Sequence, residues 1–284
     1  MSKKNKQLED LIEYYDHTRY DYRTAWDDSD NPAVHFGFYD EHADKHSDAL
    51  QNTNRTLAQY AAVKKGEAVL DAGCGRGGSC FWLIKNKAAI PTGITPVQSQ
   101  VDDCISKAKE LKLEDQVTFV NADYCNTPFE DASFDVVWAC ESLCHASDKA
   151  AFYKEAYRLL RPGGRIVIAE YLRSERPLPP KGEDLLAAWL RSWAIPDIDA
   201  QKEHEQHASA AGFQTFEVID YTSKTRVSLR NLYEKSKMFK QVSKLWTYFT
   251  KRSNVQHQNL IGSIRQYEAL EAGYWKYCLL VGKK

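Results

Sequence analysis

From residue 65 onward, short apolar runs alternate with amphipathic stretches at a spacing of about 20 to 30 residues, a rhythm that predicts repeated βαβ units around a parallel sheet. Strands are expected at 68–72 (AVLDA), 88–94, 117–122, 134–139 and 165–171. Each is apolar on both faces, as a strand covered by helices on both sides must be. Between them the pattern predicts helices over 97–112 and 148–161. In the second, Phe152, Tyr153, Ala156, Leu159 and Leu160 recur at three-to-four spacing. Ser147 or Asp148 is placed to cap that helix, and "RPGG" at 161–164 stops it, with Gly163 and Gly164 giving the freedom to turn into the next strand.

After Tyr171 the pattern loosens. A Pro-rich excursion (172–184) precedes expected helices at 184–193 and 203–211, an extended run at 213–221, a long helical stretch over 228–271 and a last strand at 274–282. The sum is an α/β fold: a seven-stranded, mostly parallel sheet with helices on both faces. The first 60 residues carry many aromatic side chains and little strand pattern, so they are expected to wrap over the core. The organisation expected is a helical lid (1–60), an α/β core (61–172), a cap insertion (173–205), core again (206–222), a helical cap (223–271) and the closing core strand (272–284).

Composition narrows the class. With 284 residues, 43% hydrophobic and 27% charged, the chain has material for one decorated domain. A net charge of -1, with Lys and Arg spread along the chain, argues against a nucleic-acid partner. No apolar run reaches the roughly 18 residues of a membrane span and no leader pattern is visible, so a cytoplasmic location is expected. Seven cysteines without a C-x-x-C pair suit reduced thiols. Cys140, Cys144 and His145 lie close together, but one short run with no matching second cluster does not predict a metal site. Between 224 and 252, nine Lys or Arg face a single Glu, while Leu232, Phe239, Val242, Trp246 and Phe249 share a helical face. A lid helix with a solvated basic face accounts for this, and peripheral membrane contact is the alternative.

The candidate chemistry starts at "VLDAGCGRGG" (69–78). Gly73, Gly75 and Gly78 satisfy G-x-G-x-x-G after a strand, the pattern of a loop that approaches a dinucleotide. Asp71 argues against that ligand, since a carboxylate beside a pyrophosphate costs roughly several kcal/mol. No acid for a ribose appears in 91–100 either. A phosphate-free cationic cofactor reverses the sign: Asp71 would attract the ammonium and sulfonium of S-adenosylmethionine. A nicotinamide oxidoreductase and a non-catalytic cofactor binder are the competing classes.

Four segments carry a resemblance: "VLDAGCGRGG", "GITPVQSQ", "NADYCNTPFEDASFDVVWACESLCH" and "EAYRLLRPGGRIVIAEY". Over residues 65–172 they resemble the successive motifs of class I S-adenosylmethionine-dependent methyltransferases, with their Rossmann-like fold. Within that superfamily "GITPVQSQ" and "ESLCHASDK" are similar to the sterol, tocopherol and prenyl diphosphate methyltransferase branch. The resemblance implies that Asp71, Gly73, Cys74 and Gly75 form the amino-acid end of the cofactor site. It implies Thr95 and Gln100 at the ribose, and Asp123 with Tyr124 at the adenine. Glu141, in an otherwise apolar stretch just past the fourth strand, matches the base of the C-methyltransferases, and His145 lies four residues on. Tyr14, Tyr15, Tyr22, Trp26 and Tyr39 are expected to line a hydrophobic substrate pocket. The activity implied is methylation of a small or medium hydrophobic natural product at carbon, with Glu141 as base. The alternative is N- or O-methylation of an amine or phenol, with His145 as base.

Overall fold

In the computed structural model, which describes residues 6–15, 35–41, 43–249 and 254–284, the first strand of the repeat sits near the middle of the sheet. β1 (Ala68–Ala72) pairs in parallel with β2 (Ile90–Thr95) on one side and β4 (Phe134–Cys140) on the other. β3 (Thr118–Asn121) extends the β2 edge, and β5 (Leu160–Arg173) pairs with β4. β7 (Trp275–Lys283) inserts antiparallel between β5 and β6 (Thr215–Asp220), completing the seven-stranded order β3-β2-β1-β4-β5-β7-β6.

Alternate strand residues feed two cores, the consequence of a two-residue side-chain period. Val69, Val136, Trp138, Val167 and Ala169 face one layer together with Trp189, Trp275 and Tyr277. Leu70, Val137, Ala139, Ile166 and Ile168 face the other with Phe152 and Tyr153. Helix α1 covers 6–15, and α2 (His46–Tyr60) lies against α3 (Gly78–Lys87) and β5. α4 (Gln98–Leu111) and α5 (Lys149–Leu159) occupy the expected places, and Asp148 caps α5 by accepting from the Ala151 amide at 2.9 Å.

The structure departs from expectation in several places. "RPGG" lies inside β5: Leu160 already pairs with Phe134, the register shifts, and pairing resumes at Val136 with Arg165. α3 was not anticipated, because Gly78–Ile84 are all buried and show no amphipathic period. Helix α9 (Asn254–Glu271) packs on both α6 (Pro180–Ser192) and α8 (Thr222–Phe249), whereas α7 (Gln201–Ala211) packs on α5 and β6. The expected cap/core boundary at 205 therefore cuts through α7, a helix of the core layer. All seven cysteines are free thiols. Among the described residues no helix is long and apolar enough to cross a membrane.

Candidate active site

The chain leaves β1 toward β2 on one side and enters β4 on the other, so a crevice opens at the carboxyl ends of these strands, where open α/β sheets bind ligands. A cleft open to solvent lies there. The loop after β1 forms one wall through Gly73, Gly75 and Arg76. Gly73 has φ of 95°, and a Cβ there would stand 2.3 Å from the Ser142 Cβ. Gly75 has φ of 52°, and a Cβ there would meet nothing within 4 Å. Backbone is thus bared to the cleft at Gly75, as close approach of a ligand requires.

Thr95 and Gln100 meet on the second wall, the Thr95 hydroxyl donating to Gln100 Oε1 at 2.7 Å and accepting the Val97 amide at 3.3 Å. Ser99 and Asp103 stand on the same wall. Sequence reasoning passed over both, although their i,i+4 spacing around Gln100 puts them on one helical face. Tyr124 lines the floor and donates to the Ser142 carbonyl at 2.8 Å.

Asp71, Cys74 and Asp123 do not reach this wall. Asp71 is 2% exposed; its carboxylate accepts the Cys80 thiol of α3 at 3.4 Å, and burial pushes its pKa up to about 7. It backs the glycine loop instead of facing a ligand directly, because its strand position directs it into the layer covered by α3. Cys74 packs behind the loop with Cys80 and Cys104. Asp123 accepts the Cys125 amide at 2.8 Å in its own turn.

Glu141 and His145 stand together at the mouth between β4 and α5. Glu141 adopts φ of 52°, a strained value for a non-glycine residue of the kind that collects at functional sites, while its amide donates to the Ala169 carbonyl at 2.8 Å. Its Oε1 accepts from the Phe36 amide at 2.7 Å and the Tyr277 hydroxyl at 2.8 Å, and its Oε2 accepts from the Tyr171 hydroxyl. Burial pushes its pKa up to about 8, with those three hydrogen bonds opposing the rise. The Tyr171 ring meets Phe36, Trp189, Trp275 and Tyr277, with centroids 5.4 to 6.3 Å away, so the carboxylate sits in an aromatic shell. His145 ends a 3-10 turn (Leu143–His145), and its Nε2 meets the Tyr15 hydroxyl at 3.0 Å. Burial pushes it down to about 4, which leaves a neutral imidazole at pH 7.

Tyr15 therefore lines the cleft, whereas Tyr14 is buried and donates to Asn259 of α9 at 3.0 Å. Tyr39 reaches Asn231 of α8 and lies away from the cleft. Tyr22 and Trp26 lie outside the described residues. Tyr171, Tyr277 and the Phe36 amide are site features that sequence reasoning missed. Their only signal was Tyr at strand positions, which reads equally well as packing. On α8, Leu232 packs on the core but Phe239 is half exposed, so the face assigned to them is not one continuous buried stripe. The side chains of Val242, Trp246 and Phe249 are outside the described residues.

The bared loop backbone, the polar second wall and a lining whose basic groups, among the described residues, are Arg76 and the neutral His145 suit a cofactor with a polar amino-acid end and no phosphate. Residues 70–168 match the family model of a methyltransferase domain, Methyltransf_11. The 27-O-demethylrifamycin SV methyltransferase of Amycolatopsis mediterranei (strain S699) is 31% identical over 197 residues, covering 69% of this chain and 71% of that one. Two solved structures share the fold. The [4+2]-cyclase SpnF superposes with a TM-score of 0.75 at 24% identity, over 95% of this chain and 96% of that chain. The geranyl diphosphate C-methyltransferase of Streptomyces coelicolor A3(2), solved with Mg2+, geranyl diphosphate and S-adenosyl-L-homocysteine, gives 0.73 at 19% identity, over 98% and 97%.

Fold and cleft together define a Rossmann-like cofactor-binding protein. The chain belongs to the class I S-adenosylmethionine-dependent methyltransferases, and S-adenosylmethionine is its methyl donor.

Proposed function

We propose that the protein methylates a small or medium hydrophobic natural product at carbon, with Glu141 as general base. One observation carries this reading: at the cleft a carboxylate is held by three donors, from Phe36, Tyr171 and Tyr277, inside an aromatic shell. When bound, S-adenosylmethionine supplies the methyl group. The cofactor would offer that methyl to the substrate's π electrons, its sulfur keeping the S–CH3 electron pair, and positive charge would be left on the neighbouring carbon. Aromatic faces stabilise that charge, and Glu141 takes the adjacent proton to regenerate a C=C bond. The geranyl diphosphate neighbour is a C-methyltransferase by name, which supports this chemistry on the same fold. Thr95 and Gln100 on the second wall are the proposed ribose contacts, Tyr124 the adenine floor, and Tyr15 a lid residue at the substrate side.

His145 supports a second reading, methylation at oxygen or nitrogen. It is neutral and stands at the cleft beside Tyr15, and the rifamycin relative is named for a reaction at oxygen. Host-cell extract incubated with methyl-labelled cofactor separates the two. NMR of the labelled product shows the methyl on carbon or on a heteroatom. Glu141→Gln is expected to retain S-adenosylhomocysteine binding and lose about 100-fold or more of turnover, the scale of general-base catalysis. Unchanged turnover in Glu141→Gln, with loss in His145→Gln, would move the role to His145.

A further inference from the structure

Glu170 lies on β5, one residue past Ala169, whose carbonyl accepts the Glu141 amide. Its side chain is wholly buried and does not touch the cleft. A carboxylate at that depth is costly unless hydrogen-bonded. Here its Oε2 accepts the Cys144 amide at 2.8 Å and its Oε1 accepts the Tyr171 amide at 2.9 Å. Both amides belong to the active-site scaffold: Cys144 precedes His145 in the 3-10 turn, and the Tyr171 hydroxyl donates to Glu141. The nearby cation, Lys149 of α5, directs its ammonium to the Ala146 and Asp197 carbonyls, with Asp199 at 3.8 Å. The other charged or titratable groups that act on Glu141 and Glu170 are Cys140 at the end of β4, Cys144 in the turn, Tyr153 of α5, Tyr171 of β5 and Tyr277 of β7.

We propose that Glu170 is a positioning residue for methyl transfer: its carboxylate ties the backbone beneath Glu141 and His145 into one frame, and its buried negative charge acts on the Glu141 carboxylate. This rests on the reading of Glu141 as base. Burial is the largest cause of the raised pKa in both, pushing Glu141 up to about 8 and Glu170 up to about 7, and the Glu170 charge adds to the rise at Glu141.

The experiment compares pH profiles of turnover, S-adenosylhomocysteine binding and carboxyl NMR titrations for wild type, Glu170→Gln, Glu170→Asp and Glu141→Gln. Removing the lower charge should move the acid limb of turnover down by about one pH unit and leave cofactor binding unchanged. Glu170→Asp, which keeps the charge, should restore the limb toward the wild-type position. A turnover loss of equal factor at every pH, with the limb unmoved, would show a purely structural role and overturn the proposal. The reciprocal measurement needs no change at Glu170. Linkage requires Glu141→Gln to lower the Glu170 titration midpoint, and an unmoved midpoint overturns the proposal even if Glu170→Gln does not fold. Retained turnover in Glu141→Gln would refute the base assignment itself, while the two NMR midpoints still decide whether Glu170 governs Glu141.

Discussion

Two glycines of the β1 loop differ in what they do, and the difference is open to test. At Gly73 an added methyl group meets Ser142 at 2.3 Å on a backbone with φ of 95°. Gly73→Ala should therefore lower stability by about 2 kcal/mol or more, through overpacking and backbone strain, as read from denaturant midpoints. At Gly75 the methyl group enters open cleft. Gly75→Ala should lose less stability than Gly73→Ala and weaken S-adenosylhomocysteine binding by about tenfold or more, the cost of excluding close backbone approach. Equal binding loss with equal destabilisation in both variants would mean the loop acts only as a scaffold. The motif that announces these glycines is visible in the sequence. Their separate roles are not, because Ser142 lies far along the chain and reaches Gly73 only when β4 is placed beside β1.

Elements were legible where their burial is one-sided or their polarity uniform. β1, β4 and β5 read as strands because both faces are apolar, and α4 reads as a helix because only one stripe, including Val101, Cys104 and Ala108, is buried. α3 has no such contrast. Wrapped by α2, the sheet and the α4 layer, its residues 78–84 are all buried, and a helix buried all round has no period to detect. The start of α5 was legible for a different reason, since Asp at the helix boundary carries a local hydrogen-bonding role. Asp148→Ala removes the acceptor for the Ala151 amide and should cost about 1 kcal/mol, seen as a lower Tm with cofactor affinity unchanged. A Tm equal to wild type would assign the start of that helix to tertiary packing alone.

For the molecule as a whole, its buried ionisable groups give stability a definite pH dependence. Asp71, Glu141 and Glu170 keep their protons in the folded chain up to about 7, 8 and 7, against 3.8, 4.5 and 4.5 ordinarily. The unfolded chain releases those protons sooner, so this contribution is complete below the ordinary values and is lost as pH rises toward 8. His35, His145 and His204 stay neutral down to about 4, 4 and 3, against 6.5 ordinarily. Their contribution is complete above 6.5 and is lost as pH falls through 4. The two sets oppose each other at mildly acidic pH. From 6.5 to 8 the carboxylates act without the histidines, so the Tm of the cofactor-free protein should fall over that interval and fall less steeply in Glu141→Gln. A Tm that rises or stays level from 6.5 to 8 would contradict the buried, protonated state of these groups.

By itself the sequence determined the order of the strands and of the amphipathic helices, the glycine loop and the acidic residue past β4, because hydrophobic period and turn chemistry act over a few neighbouring residues. Tertiary structure alone decided that Asp71 turns to the Cys80 thiol, that residues 36, 171 and 277 converge on Glu141, and that Glu170 stands beneath it. Those relations join residues 9 to 136 positions apart, and they follow from sheet register and strand alternation, which no short window of sequence contains.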